Sequence, residues 1–340
     1  MRLPTTTAAI LGLLTTLSTS SPLEPGLNDL SRRQAPKGKG APRAQRADTA
    51  VSLKETTWNP PASMKQDLDD VWAWVIKRRP QDLKRGGWVY NQILDNNGAL
   101  NYCVRWHSSA TADAATRAAI LKGLQVQSQK WADLLVGFDG WPYTKVPVKI
   151  VGWAGTSQAL FPGLNETAEG KYSAYKDQEG VPQCNPDCGH FFHMNSEFFP
   201  KCQNPKENMY SMSLWLSDNL GGGAGGGGDW GQRTYRTATI AQFKAGGDAM
   251  IYLHEMGHSY AIDDFYDWKP KGQTNFIMMA GSSSYITEFD AWMARDWWRH
   301  IKPKNLGGSS SGSTMAGGAP KGAGGAPKGA GRPAAMSNGQ

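Results

Sequence analysis

Long apolar runs are missing from this 340-residue chain, and so is a strong charge on its body. The apolar stretch from Ala8 to Leu17 is too short to span a bilayer, and no later one approaches the length required, so no membrane partner is expected. A net charge of +7 could signal nucleic-acid binding, but its distribution excludes that class. Residues 1–47 carry +5 and residues 305–340 carry +3, which leaves −1 for everything between. A body so close to neutral has no field to hold a polyanion. Cysteine is scarce as well, with four residues and none before Cys103. The glycine run at 221–228 lacks the Lys-Ser/Thr pair that a phosphate-binding loop needs. A flexible connection is expected there, with a mobile flap beside a cleft as the sharper alternative.

What is present begins with an address. A basic start at Met1-Arg2, a short apolar core and a small-residue exit predict a secretory signal peptide over residues 1–21. Residues 22–50 read as a disordered linker or, given Arg32-Arg33, a short propeptide. A folded domain is expected over 51–305, followed by a disordered Gly/Ala/Pro/Lys tail at 306–340 in which GGAPKGA occurs twice. In a secreted, extracellular chain Cys103, Cys184, Cys188 and Cys202 predict two disulfides of unassigned pairing. The alternative is a second metal site, because His190 and His193 sit among the last three cysteines. Asn165-Glu166-Thr167 is an N-glycosylation acceptor.

Along the body, apolar spacing predicts a helix from Ser63 to Arg79, ended by Pro80. Leu100–Trp106, Val146–Trp153 and Ser211–Leu216 read as strands, rich in β-branched and aromatic residues. A helix capped by Thr111 is expected to run to about Val136, and residues 154–210 to form an irregular region pinned by disulfides. Helical pattern returns from Thr239, and Thr287 opens a last helix. The expected class is α+β, with α/β-like character.

The chemistry concentrates in His254-Glu255-Met256-Gly257-His258, an H-E-x-x-H pattern. On a helix the two histidines share a face, so both imidazoles can reach one metal ion. Glu255 lies beside that face, placed to take a proton from water. Zinc needs a third protein ligand and one open position. Asp264 is the preferred third ligand, because a chain leaving the helix after His258 comes back toward the metal at that distance. Asp263, Asp267 and Glu288 remain alternatives. Thr287 before Glu288 also suits an ordinary helix start.

The run from His254 to Asp264, with Ile277-Met278 some twenty residues on, resembles the extended H-E-x-x-H-x-x-G-x-x-H/D signature and Met-turn of metzincin zinc metalloproteases. The similarity is greatest to small secreted bacterial members with Asp as third ligand. The resemblance implies a zincin fold: a twisted, mostly parallel sheet with packed helices, an active-site helix, a Met-turn at Met278 (or Met279) and a C-terminal helix. One position departs, since Ala261 stands where the family has glycine. A left-handed turn there would cost alanine about 1 kcal/mol or more. More broadly, LNYCVRWHSS, VKIVGWA, SLWLSDN, DWGQR and LHEMGH…DDFYDW are similar to secreted fungal and actinobacterial proteins, some described alongside cellulose-binding modules.

The expected function is therefore zinc-dependent hydrolysis of protein or peptide substrates. His254, His258 and Asp264 would hold Zn²⁺, Glu255 would act as general base, and Tyr285 is a candidate oxyanion donor. The absence of cysteine before Cys103 excludes latency through a propeptide thiol. The rival is a carbohydrate- or cell-wall-binding protein with a structural or inactive zinc site. It draws on the fourteen tryptophans, whose indoles stack on sugar faces. Several of them, Trp72, Trp74, Trp292, Trp297 and Trp298, fall at helical spacing, where core packing is the commoner reason.

Overall fold

The computed structural model describes residues 54–303, apart from 165–170, 173, 195–198, 200 and 222. The segments expected to be a signal peptide, a linker and a C-terminal tail, and the acceptor Asn165, lie outside the described residues. In chain order the elements begin with α1 (Ala62–Arg78), α2 (Val89–Asp95), β1 (Leu100–His107), α3 (Ala114–Ala132), β2 (Val148–Gly155) and β3 (Lys171–Tyr172). They continue with α4 (Pro205–Asn208), β4 (Met212–Ser217), β5 (Gly225–Gly228), β6 (Gly231–Tyr235), α5 (Arg236–Ala245), α6 (Met250–Ser259) and α7 (Glu288–Ile301). This is an α+β chain with one mostly parallel, six-stranded sheet in the order β3-β2-β1-β4-β6-β5. Only β5 runs antiparallel, against β6, and it forms one edge. Among the described residues no helix is long and apolar enough to cross a membrane.

Alternation along the central strands divides the side chains between two faces. Tyr102, Val104, Trp106, Met212, Leu214 and Leu216 point into the main core, where α3 and α6 cover the sheet. Cys103, Val151 and Ala154 point the other way, into a smaller cluster with Tyr210 and the remaining cysteines. That second face is covered by irregular chain held by Cys103–Cys184 and Cys188–Cys202. With all four cysteines paired, the alternative of a thiolate metal site is overturned. His190 instead lies 3.2 Å from Asp95, and His193 packs on Phe199. Arg105 and Arg233 sandwich Trp215 on the same face, at 4.2 and 3.7 Å from its ring.

The tryptophans belong largely to the core. Trp106, Trp131, Trp153, Trp292 and Trp298 are fully buried. Each removes roughly 150–250 Å² from water, an upper bound on the order of 4–6 kcal/mol apiece. Trp72 stacks on His300, and Trp74 on Trp268. These two rings pack against protein side chains and stay partly exposed.

Helix ends follow the local chemistry, with one correction. Asp113, not Thr111, caps α3, its carboxylate accepting from Thr116 N at 2.7 Å. A short 3₁₀ turn at Asp133–Leu135 then leads to Val136. Thr287 caps α7 as expected, in a capping box with Asp290. The glycine run also departs from expectation. Gly225–Gly228 form β5, paired with Gly231–Thr234 of β6, instead of a flexible connection. These four glycines line a cleft.

Candidate metal centre

Helix α6 carries the centre, and it is buried nearly throughout, from Tyr252 to Gly257. Its C-terminus is closed by two hydrogen bonds, Ala261 N to His258 O at 3.0 Å and Ile262 N to Gly257 O at 3.2 Å. This is the Schellman pattern, and it needs a left-handed residue at the position of Ala261. Ala261 has φ 64°, the conformation that glycine would take without a Cβ penalty. The resulting turn sends the chain back over the helix. Asp264 Oδ1 then lies 3.1 Å from His254 Nε2 and 3.5 Å from His258 Nε2.

Both imidazoles are oriented from behind. His254 Nδ1 donates to Ile277 O at 2.7 Å, and His258 Nδ1 donates to Ile262 O at 2.8 Å. Occupying Nδ1 leaves Nε2 of each ring for a ligand. Glu255 Oε2 stands 3.8 Å from His258 Nε2. His254, Glu255 and His258 bring their potential ligand atoms within 4.8 Å of one another, a group able to hold a metal ion. Asp264 Oδ1 is nearer to both imidazoles than the Glu255 carboxylate is to His258.

Electrostatics without a metal reflect the same closeness. Burial opposes charge on His258, but the Asp264 carboxylate and its hydrogen bond outweigh it and lift the imidazole to about 9. His254 is raised in the same way, burial being overcome by its Asp264 hydrogen bond and by Glu255. Asp264 is buried as well, yet the two imidazoles hold it far below the usual carboxylate range. Burial pushes Glu255 up, with the histidines pulling against it.

The Ile277-Met278 segment packs against the same helix. Met278 is fully buried, and a Cβ on Gly257 would fall 2.1 Å from its sulfur. Gly257, inside the H-E-x-x-H pattern, therefore lets the turn approach the helix. Asp290 of α7 accepts from Ile277 N at 2.9 Å and from Met278 N at 3.1 Å, tying the turn in place.

The donor atoms open into a cleft of about 240 Å³. One wall is β5 with Asp229; the other is formed by Arg79, Gln81, Asp82, Arg85 and Trp88. Arg85 pairs with Asp229, and Arg79 with Asp82 at 3.1 Å. Burial raises both carboxyls, Asp229 and Asp82, against their arginines. These four charged residues lie outside the H-E-x-x-H pattern, and Asp229 alone falls in a quoted stretch, DWGQR.

Of the remaining candidates, Asp263 also lines the cleft but is engaged by arginines. Asp263 lies 3.5 Å from Arg78 and 3.8 Å from Arg79, Asp267 is exposed, and Glu288 accepts from Trp292 Nε1 at 3.3 Å. Tyr285 is not among the residues lining the cleft, whereas Tyr266 is. Comparison of the chain with known protein families, curated proteins and solved structures returns no match.

Proposed function

We propose that the chain is a secreted zinc-dependent metallopeptidase of the metzincin kind. The observation that carries this reading is the convergence of His254 Nε2, His258 Nε2 and Asp264 Oδ1 beside Glu255. Zinc bonds nitrogen and oxygen at about 2.0–2.1 Å in a tetrahedron, which separates neighbouring ligand atoms by about 3.3 Å. The spacings of 3.1 and 3.5 Å around Asp264 Oδ1 fit that ion. Secretion is supported by the N-terminal pattern and by two disulfides.

Bound zinc would supply a lowered pKa for a water and polarisation of the scissile carbonyl. The chain's own residues do the rest. Glu255 takes the proton of the attacking water and delivers it to the leaving amine nitrogen. Burial, which raises Glu255, makes it a stronger proton acceptor than an exposed carboxylate. His254 and His258 keep Nε2 forward because Nδ1 of each is held by a main-chain carbonyl. The free edge of β5 offers main-chain donors and acceptors to an extended peptide, the substrate class this geometry suits.

Purified protein is expected to carry one zinc per chain and to cleave casein in a chelator-sensitive way. Glu255→Gln should keep the zinc and lose roughly 10²–10⁴-fold in kcat. Undiminished cleavage by that variant would remove Glu255 from the mechanism. Stoichiometric zinc with no cleavage of casein would make the metal structural and overturn the peptidase reading.

A further inference from the structure

Gly225 occupies a place where no side chain fits beside the proposed base. A Cβ built on it would fall 2.1 Å from Glu255 Oε1 and 2.7 Å from Glu255 Cδ. At Gly227, two residues along the same strand, a Cβ would fall 2.1 Å from Glu255 O, a main-chain atom. Neither glycine has positive φ, so backbone conformation does not require glycine at either place. The two contacts differ in what can yield. The far end of a glutamate side chain can rotate away, whereas the carbonyl of a buried helix cannot. Gly223, in the same run, meets nothing within 4 Å.

We infer that Gly225 is a positioning residue for Glu255: with no side chain on β5 at this point, the strand lies directly on Oε1 and holds Oε2 toward His258. Any Cβ at 225 forces the carboxylate off the strand and out of that alignment, and the fold survives because only a side chain has to move. Gly227 serves the strand's docking on α6 instead, so its replacement acts on stability. The inference rests on Glu255 as the general base, but the position of the carboxylate is open to measurement without any activity.

Three single variants in the full chain separate these roles. Gly225→Ala is expected to keep zinc content and Tm while kcat drops about 100-fold or more toward the Glu255→Gln level, with KM little changed. Its crystal structure should show the Glu255 carboxylate turned away from β5. Gly227→Ala should lower Tm, and Gly223→Ala should change neither Tm nor kcat. A Gly225→Ala structure with Glu255 unmoved and the strand displaced would overturn the inference, as would wild-type kcat in that variant. Should the wild-type chain hydrolyse nothing, the peptidase reading fails, and the carboxylate position still decides this one. Should Gly225→Ala not fold, the double variant with Glu255→Ala decides: recovery of folding supports a clash with the side chain, and no recovery overturns it.

Discussion

Ala261 sits in a left-handed conformation that costs an L-residue roughly 1–2 kcal/mol, yet alanine is tolerated there. Two terms offset the strain. Its methyl is buried, worth about 0.8 kcal/mol, and alanine loses less backbone freedom on folding than glycine, by about 0.4–1 kcal/mol. The departure from the resembled pattern is thus close to neutral, and it leaves the turn that presents Asp264 intact. The groups so presented make the metal-free protein sensitive to pH. His258 is lifted from 6.5 to about 9, so its contribution to stability is fully present below about 6.5 and is lost as pH rises through about 9. Asp264 is depressed from 3.8, so its contribution is present above that value and is lost as pH falls below it. Urea unfolding of chelator-stripped protein should show greatest stability from about pH 4 to 6.5 and a decline toward pH 9. A flat profile over that upper range would contradict the pairing. Loading zinc near neutrality should release protons, measurable in weakly buffered solution.

Among the elements, α7 acts on the centre without touching it. Asp290 holds the main chain at Ile277 and Met278, and Ile277 O in turn fixes the His254 ring. Asp290→Asn is expected to weaken zinc binding about 10–100-fold, read by competition with a chelator. Thr287→Ala removes the cap but not the bonds to the turn, so it should cost about 1 kcal/mol of stability and leave zinc affinity unchanged. Equal zinc losses in both variants would mean that α7 acts only through general stability. Much of this was legible beforehand. The spacing of His254, Glu255, His258 and Asp264 is local to one helix and its turn, and the Thr287 cap is a local signal. The strand β5 was not legible, because period-2 alternation is written in side chains and four consecutive glycines have none. Asp113 and Thr111 lie two residues apart and are both good capping types, so the local signal does not separate them. Arg79, Asp82, Arg85 and Asp229 reach the cleft only through tertiary packing, and single charged residues give no signal of that.

At the scale of the whole molecule, the sheet separates stability from chemistry. One face carries the buried helix and the cleft, and the other carries both disulfides. Cys103–Cys184 spans 81 residues and Cys188–Cys202 spans 14. Loop-closure entropy then assigns about 4.5 kcal/mol to the first and about 3 kcal/mol to the second. Replacing Cys103 and Cys184 together by alanine should lower denaturation free energy by several kcal/mol, more than the Cys188/Cys202 pair. Zinc affinity of the folded fraction should stay the same in both. A large zinc loss in the first variant would show that the far face steers the cleft.

The glycine strand has a last consequence, for how copies of the protein behave toward one another. An open sheet edge invites pairing between molecules, which natural proteins prevent with charge, proline or bulges. Here β5 spans only four residues, and the tetraglycine is a poor template. Each glycine gives up more conformational freedom on ordering than other residues do, and it offers a second sheet no side chain to grip. A concentrated solution should therefore stay free of edge-to-edge association even though β5 is paired on one side only.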